Sequence, residues 1–229
     1  MAQFDGFPAE CLPFLTQLAA NNNRPWFNEN KQRYEDNVRY PALSFIADMG
    51  EPLKKLSPNF LAVPKKVGGS LMRVYRDTRF ANDKTPFKTN VGIQFRHESG
   101  KDVHAPGFYV HLEPGNCFLG AGIWRPEGAV LNGIREFIVD NPNAWREATQ
   151  SRSFKRNWAL VGATLTRQPR GFDADHPLME DLKRKDFIAC MNFDDAEINK
   201  RSFVSFVIRH FKTTVPLVSY LCMAVEAEF

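Results

Sequence analysis

Apolar and polar positions divide the chain into a helical beginning, a middle of period two and a largely helical end. In AECLPFLTQLAANN, Leu12, Leu15 and Leu18 recur at helical spacing. A second helix is expected in RPWFNENKQRYEDNV, with Asn23 as its cap and Pro25 in its first turn, where a missing N–H costs nothing. PALSFIADMGEPLKKL predicts a third helix, which Gly50 and Pro52 kink or split. From residue 70 the alternation predicts strands over 71–76, 89–97, 107–113 and 117–124, with Pro114-Gly115-Asn116 turning between the last two. Helical spacing returns at 128–140, 143–150 and 153–162, and again in a short helix beginning at Leu178. A further strand is expected at 186–193, a helix start at DDAEIN, and a long final helix bent at Pro216. The fold class is therefore α+β: a mainly antiparallel meander packed with helices from both chain ends, in one domain over 1–229.

Alternation also sorts the strand residues into two faces. One carries Met72, Val74, Val91, Ile93, Phe95, Phe108, Val110 and Leu112, and packs on the helices. The other carries Arg73, Tyr75, Gly92, Gln94, Arg96, Tyr109, His111 and Glu113. Gly120 and Gly122 share a face with Phe118 and Trp124; if that strand is in register, the polar face gains a bare glycine strip. Glycine weakens a strand, so the pair has a reason: close approach of a ligand, packing of a bulky neighbour, or a local bend.

Charge changes this picture in one place. The chain of 229 residues has 30 basic and 26 acidic side chains, a net charge of +4. Residues 63 to 104 hold nine basic and only four acidic residues, so the whole positive excess lies there. Its densest part is RVYRDTRFANDKTPFKTN. An acidic start at Asp5 and Glu10 is unlike a secretory leader, and the longest apolar run, 215–225, is about half a membrane span. The expected location is the cytoplasm, away from membranes. Cys11, Cys117, Cys190 and Cys222 are scattered among apolar neighbours, as buried free thiols are, and have no zinc-ligand spacing.

The segments RVYRDTRFANDKTPFKTN, HAPGFYVHLEPGNCFLGAGIW and RGFDADHP resemble the signature segments of the DUF2461 family, and the order of elements is similar along nearly the whole chain. Arg73, Arg76, Lys88, His111, Glu113 and Trp124 are among the matching positions; Phe87 stands where the family pattern has Tyr, which removes any phenol chemistry there. The resemblance implies a single α+β domain. It implies no activity, cofactor or site residue.

The chemistry must therefore be read from the residues. Arg73, Arg76 and Arg79, with Lys84, are candidates for an oxyanion clamp, because the guanidinium fork binds carboxylate and phosphate in bidentate fashion. Arg73 and Arg76 fall on opposite faces of an ideal strand, so one fork is expected to pair with Asp77 or Asp83. His111 and Glu113, two apart on a strand, point the same way and suit a general acid/base pair. A metal would need a third ligand such as His97 or His104, and neither a metal nor a cofactor is expected. Tyr109 would orient a ligand and Trp124 wall it. Asp173, Asp175 and His176 read first as turn and cap formers. Phosphate-loop, nucleophile-elbow and dinucleotide fingerprints are absent. The expected partner is a small anionic or phosphorylated ligand on the basic, aromatic sheet face, bound or acted upon. The alternatives are a single-stranded nucleic acid stacked on that face, and a structural protein that binds a partner without catalysis. The basic loop itself is expected to be ordered by its own ion pairs, with Phe80 and Phe87 as apolar anchors.

Overall fold

The computed structural model describes residues 3–100 and 104–229. The chain opens with helices α1 (Cys11–Ala20), α2 (Arg24–Glu29) and α3 (Lys31–Tyr34). Asn23 caps α2, its side chain accepting from the Trp26 N–H. After α3 the backbone passes through one π-helical stretch, Glu35–Arg39, into α4 (Tyr40–Lys54). Gly50 and Pro52 do not split α4, which runs through both. Pro52 falls in the last turn, so the i→i−4 bond that it removes has only two helical residues after it to disturb.

A single sheet follows, in the order β1 (Phe60–Leu61), β2 (Val91–His97), β3 (Gly107–Leu112), β4 (Phe118–Ile123), β6 (Phe187–Asn192) and β5 (Ala159–Val161). Every neighbouring pair is antiparallel. Between β4 and β5 run α5 (Gly128–Asp140), α6 (Pro142–Gln150) and α7 (Arg152–Lys155); α8 (Met179–Leu182) precedes β6. A 3-10 turn, Asp195–Asn199, occupies the expected helix start at DDAEIN, and α9 (Phe203–Ala224) ends the fold. The class is α+β, with helices from both chain ends on the sheet.

Register fixes what each face does. Ile93, Val110, Leu119 and Met191 line up across β2, β3, β4 and β6, as do Phe95, Phe108, Ala121 and Ala189. All are buried. Phe45 of α4 packs on Phe95 of β2, and Phe211 of α9 on both Phe95 and Phe108. Burying such rings is the main favourable contribution to this core. None of the helices described is long and apolar enough to cross a membrane.

Three expectations fail for one reason, pairing with a distant partner. Residues 71–76 are not a continuous strand. Ser70 and Met72 bond to β2, through Gln94 N–H to Ser70 O and Met72 N–H to Gly92 O. The chain then turns away, and Tyr75 pairs with Phe87 in a separate small hairpin. In consequence Met72 lies on the open face of the sheet, its sulfur over Gly92, and not on the helix side. The third is the helix expected at 153–162, which stops at Lys155; Ala159–Val161 instead adds an edge strand to β6.

Candidate functional site

The open face of the sheet carries a cavity of about 510 Å³, within the range of small-molecule sites, about 300–1,000 Å³. Register builds its floor in rows. Gln94, Tyr109, Gly120 and Cys190 are direct cross-strand neighbours, and beside them run Gly92, His111 and Phe118. Met72, Lys88 and Asn90 line one side and Trp124 is also part of the wall.

The glycines make room for different things. A side chain on Gly92 would come within 2.8 Å of the Tyr109 hydroxyl. Gly120 lies beside Tyr109 on the next strand, with ordinary clearance of 3.4 Å between an added Cβ and the Tyr109 Cβ. Gly122 has φ +127, and a Cβ there would lie 2.1 Å from the Phe187 carbonyl oxygen. Backbone geometry, not a ligand, demands glycine at 122.

Tyr109, His111 and Glu113 form a hydrogen-bonded series along β3 and its end. The Tyr109 hydroxyl lies 2.9 Å from His111 Nδ1. His111 Nε2 lies 3.3 Å from Glu113 Oε2, which also accepts from Asn116 Nδ2 at 2.8 Å. A carboxylate only accepts, so the network assigns the imidazole proton to Nε2; Nδ1 then accepts from Tyr109. The His111 ring stacks on Phe118, centroids 4.5 Å apart. Burial holds His111 below its ordinary pKa, partly opposed by Glu113. Burial, reinforced by the Glu113 charge, pushes the Tyr109 phenol up. The Cys190 thiol is pushed up to about 11 by burial, so it stays protonated.

Among the described residues, Lys88 is the cation on the wall of this cavity. It is half-buried, and burial first, then the charge of Arg73, lowers its pKa. Among the described residues its ammonium has no acidic partner within ion-pair distance, and the same holds for Arg73. Lys88 was readable as part of the basic run, but nothing in that run marks it as the member that reaches the cavity. Gln94, Asn90 and Cys190 carried no sequence signal beyond their alternation.

The structure does not bring the other predicted cations to the cavity wall. Arg76 pairs with Asp83 and also donates to Thr85 Oγ1. Arg79 donates to both oxygens of Asp77, at 3.0 and 2.7 Å. Lys84 donates to the Thr78 carbonyl. The pairing holds the carboxyls of Asp77 and Asp83 down to about 2. The loop carries the internal ion pairs expected of it, but only one of its two aromatic anchors is buried. Phe87 stacks on Phe27 with centroids 4.1 Å apart, whereas Phe80 is 95% exposed. Asp173 and His176 serve their own loop, accepting from the N–H groups of Asp175 and Leu178. Among the described residues no three His, Cys, Asp or Glu side chains converge as metal ligands.

Trp124, 44% exposed, is fixed at its corner by its neighbour. Arg125 lies over the indole ring at 4.7 Å and adopts a left-handed backbone, φ 48. Its N–H donates to buried Asp186, which also accepts from the Ala163 N–H.

No curated protein and no solved structure matches the chain. One family model does, over residues 10–220, and its description is "Conserved hypothetical protein (DUF2461)". That match spans nearly the whole chain and includes every element that builds the cavity, so the chain belongs to the DUF2461 family.

Proposed function

We propose that the protein binds a small molecule with a flat apolar body and an anionic end, in the cavity on the open sheet face. The observation that carries this reading is Lys88: a half-buried cation on the wall of a largely apolar cavity, with no acidic partner among the described residues and with the charge of Arg73 near enough to lower its pKa. Lys88 is partly desolvated and the charge of exposed Arg73 adds to the cost of its own, so an anion placed against its ammonium relieves it. The body of the ligand would lie over Gly120 against Phe118 and Trp124. Gln94 and Asn90 offer amides to its polar edge. The nucleic-acid reading has less support, because Arg76 and Arg79 spend their charge on acids of their own loop.

The test is a thermal-shift and calorimetric panel of benzoate, salicylate, phenyl phosphate and aliphatic dicarboxylates. Binding of aromatic anions should raise the melting temperature, by mass action on the native state. Lys88→Met should abolish the shift while leaving the unliganded melt nearly unchanged, and Arg79→Ala should leave both intact. Equal binding by wild type and Lys88→Met would sink the assignment of the anion site.

A further inference from the structure

Beyond binding, the geometry points to Tyr109, His111 and Glu113 as a proton relay that makes the cavity an acid/base catalyst toward a ligand with a weakly acidic C–H or N–H. This rests on the cavity being a ligand site. Three observations carry it. The three groups are joined end to end by hydrogen bonds, at 2.9 and 3.3 Å. Tyr109 and His111 both line the cavity, while Glu113 stands behind His111 and is held by Asn116. The Tyr109 proton points to Nδ1, so the oxygen turns lone pairs, not a donor, toward the cavity.

The step balances without a co-reactant. The Tyr109 oxygen takes the proton of the ligand as its own proton passes to His111 Nδ1. The resulting imidazolium faces Glu113, and the negative charge left on the ligand faces Lys88. Reversal of the same path returns the proton, at the same atom or another, so exchange and isomerisation are the reaction classes served. A carboxylate behind a neutral imidazole fixes its tautomer and stabilises its charged form. The charged and titratable groups around His111 are Tyr109 and Glu113 on its own strand, Lys88 across the cavity and Cys190 on β6. Gly92 is a positioning residue, because any side chain there would displace the Tyr109 hydroxyl.

5-Nitrobenzisoxazole is a suitable probe: flat, apolar and opened by a single base. Its C–H proton goes to the relay, the N–O bond breaks with its electrons kept on oxygen, and a nitrile and a phenolate form; buffer then reclaims the proton. Binding is read by quenching of tryptophan fluorescence and turnover by phenolate absorbance. The expected result is turnover above buffer, rising with pH through an inflection below 6.5, the ordinary histidine value. His111→Gln and Tyr109→Phe should each lower kcat at least tenfold, and Gly92→Ala should lower kcat more than it raises KM. Lys88→Met should keep the low inflection. Turnover that survives His111→Gln, or follows a lysine-like inflection lost in Lys88→Met, overturns the relay. Full turnover in Tyr109→Phe removes Tyr109 from it. Binding without turnover overturns the relay and leaves the cavity reading standing. If neither the probe nor the aromatic anions bind, the cavity reading falls and the relay with it.

Discussion

At the scale of single residues, neighbours of the same type separate by what lies behind them. Gly120 and Gly122 look alike in sequence, yet Gly120→Ala meets only ordinary contacts and should be tolerated, narrowing the cavity floor. Gly122→Ala must leave a φ of +127 and clear the Phe187 carbonyl, so a loss of at least about 1–3 kcal/mol is expected in urea unfolding. The aspartates divide in the same way. Asp77 pairs with Arg79, whose side chain is 77% exposed, so removing it leaves no buried charge behind. Asp77→Ala should therefore leave the melting temperature where it is. Asp186 is buried and satisfies two backbone N–H groups. Asp186→Ala should therefore cost about 1–3 kcal/mol and loosen the corner that holds Trp124. The polar row Tyr109, His111, Glu113 was legible from alternation alone. The identity of the cavity cation was not, because the five arginines and lysines of one run look equivalent until their partners are known.

Among the elements, most of the fold followed from local pattern. β2, β3, β4 and β6, α1, α5 and α9 lie where periodicity placed them, because each has a face of its own to bury. The failures are segments whose conformation is decided by a neighbour far away in sequence. WALV at 158–161 is too short for a period to show, and pairing with β6 makes it a strand. Residues 71–76 alternate like a strand but serve two partners in turn. The hairpin formed by 74–76 and 86–88 depends on one ring: Phe87 is 2% exposed and stacked on Phe27 of α2. Asn22 clasps the same residue, donating to its carbonyl at 2.9 Å and accepting from its N–H at 3.1 Å. Phe87→Ala should cost about 3–5 kcal/mol, as aromatic truncation in a packed core does. It should also displace Lys88 and so weaken binding of an aromatic anion. Phe80→Ser, at the exposed tip of the same hairpin, should do neither.

For the molecule as a whole, Arg76 and Arg79 are paired with Asp83 and Asp77 inside the basic loop, and Lys88 is the member of that run that reaches the cavity wall. Stability against pH should follow from two partly buried histidines more than from these surface charges. His111 and His210 are both held below their ordinary value of 6.5, chiefly by burial. The unfolded chain therefore takes up protons at these positions before the folded one does, and stability rises with pH across that interval. It should be complete above about pH 6.5 and fall as the pH drops from there toward the folded values. Asp77 and Asp83 act in the same direction lower down, their contribution being present above 3.8 and lost as the pH falls to about 2. Both carboxylates are exposed, so that lower limb should be shallow and screened by salt. Urea midpoints measured from pH 8 to 2 should decline first below 6.5. His111→Gln together with His210→Gln should flatten that decline while leaving the limb below 3.8 unchanged. A midpoint that stays level from pH 7 to 4.5 in the wild type would show that burial does not depress these imidazoles, and any activity inflection of the relay should then lie at 6.5 and not below it.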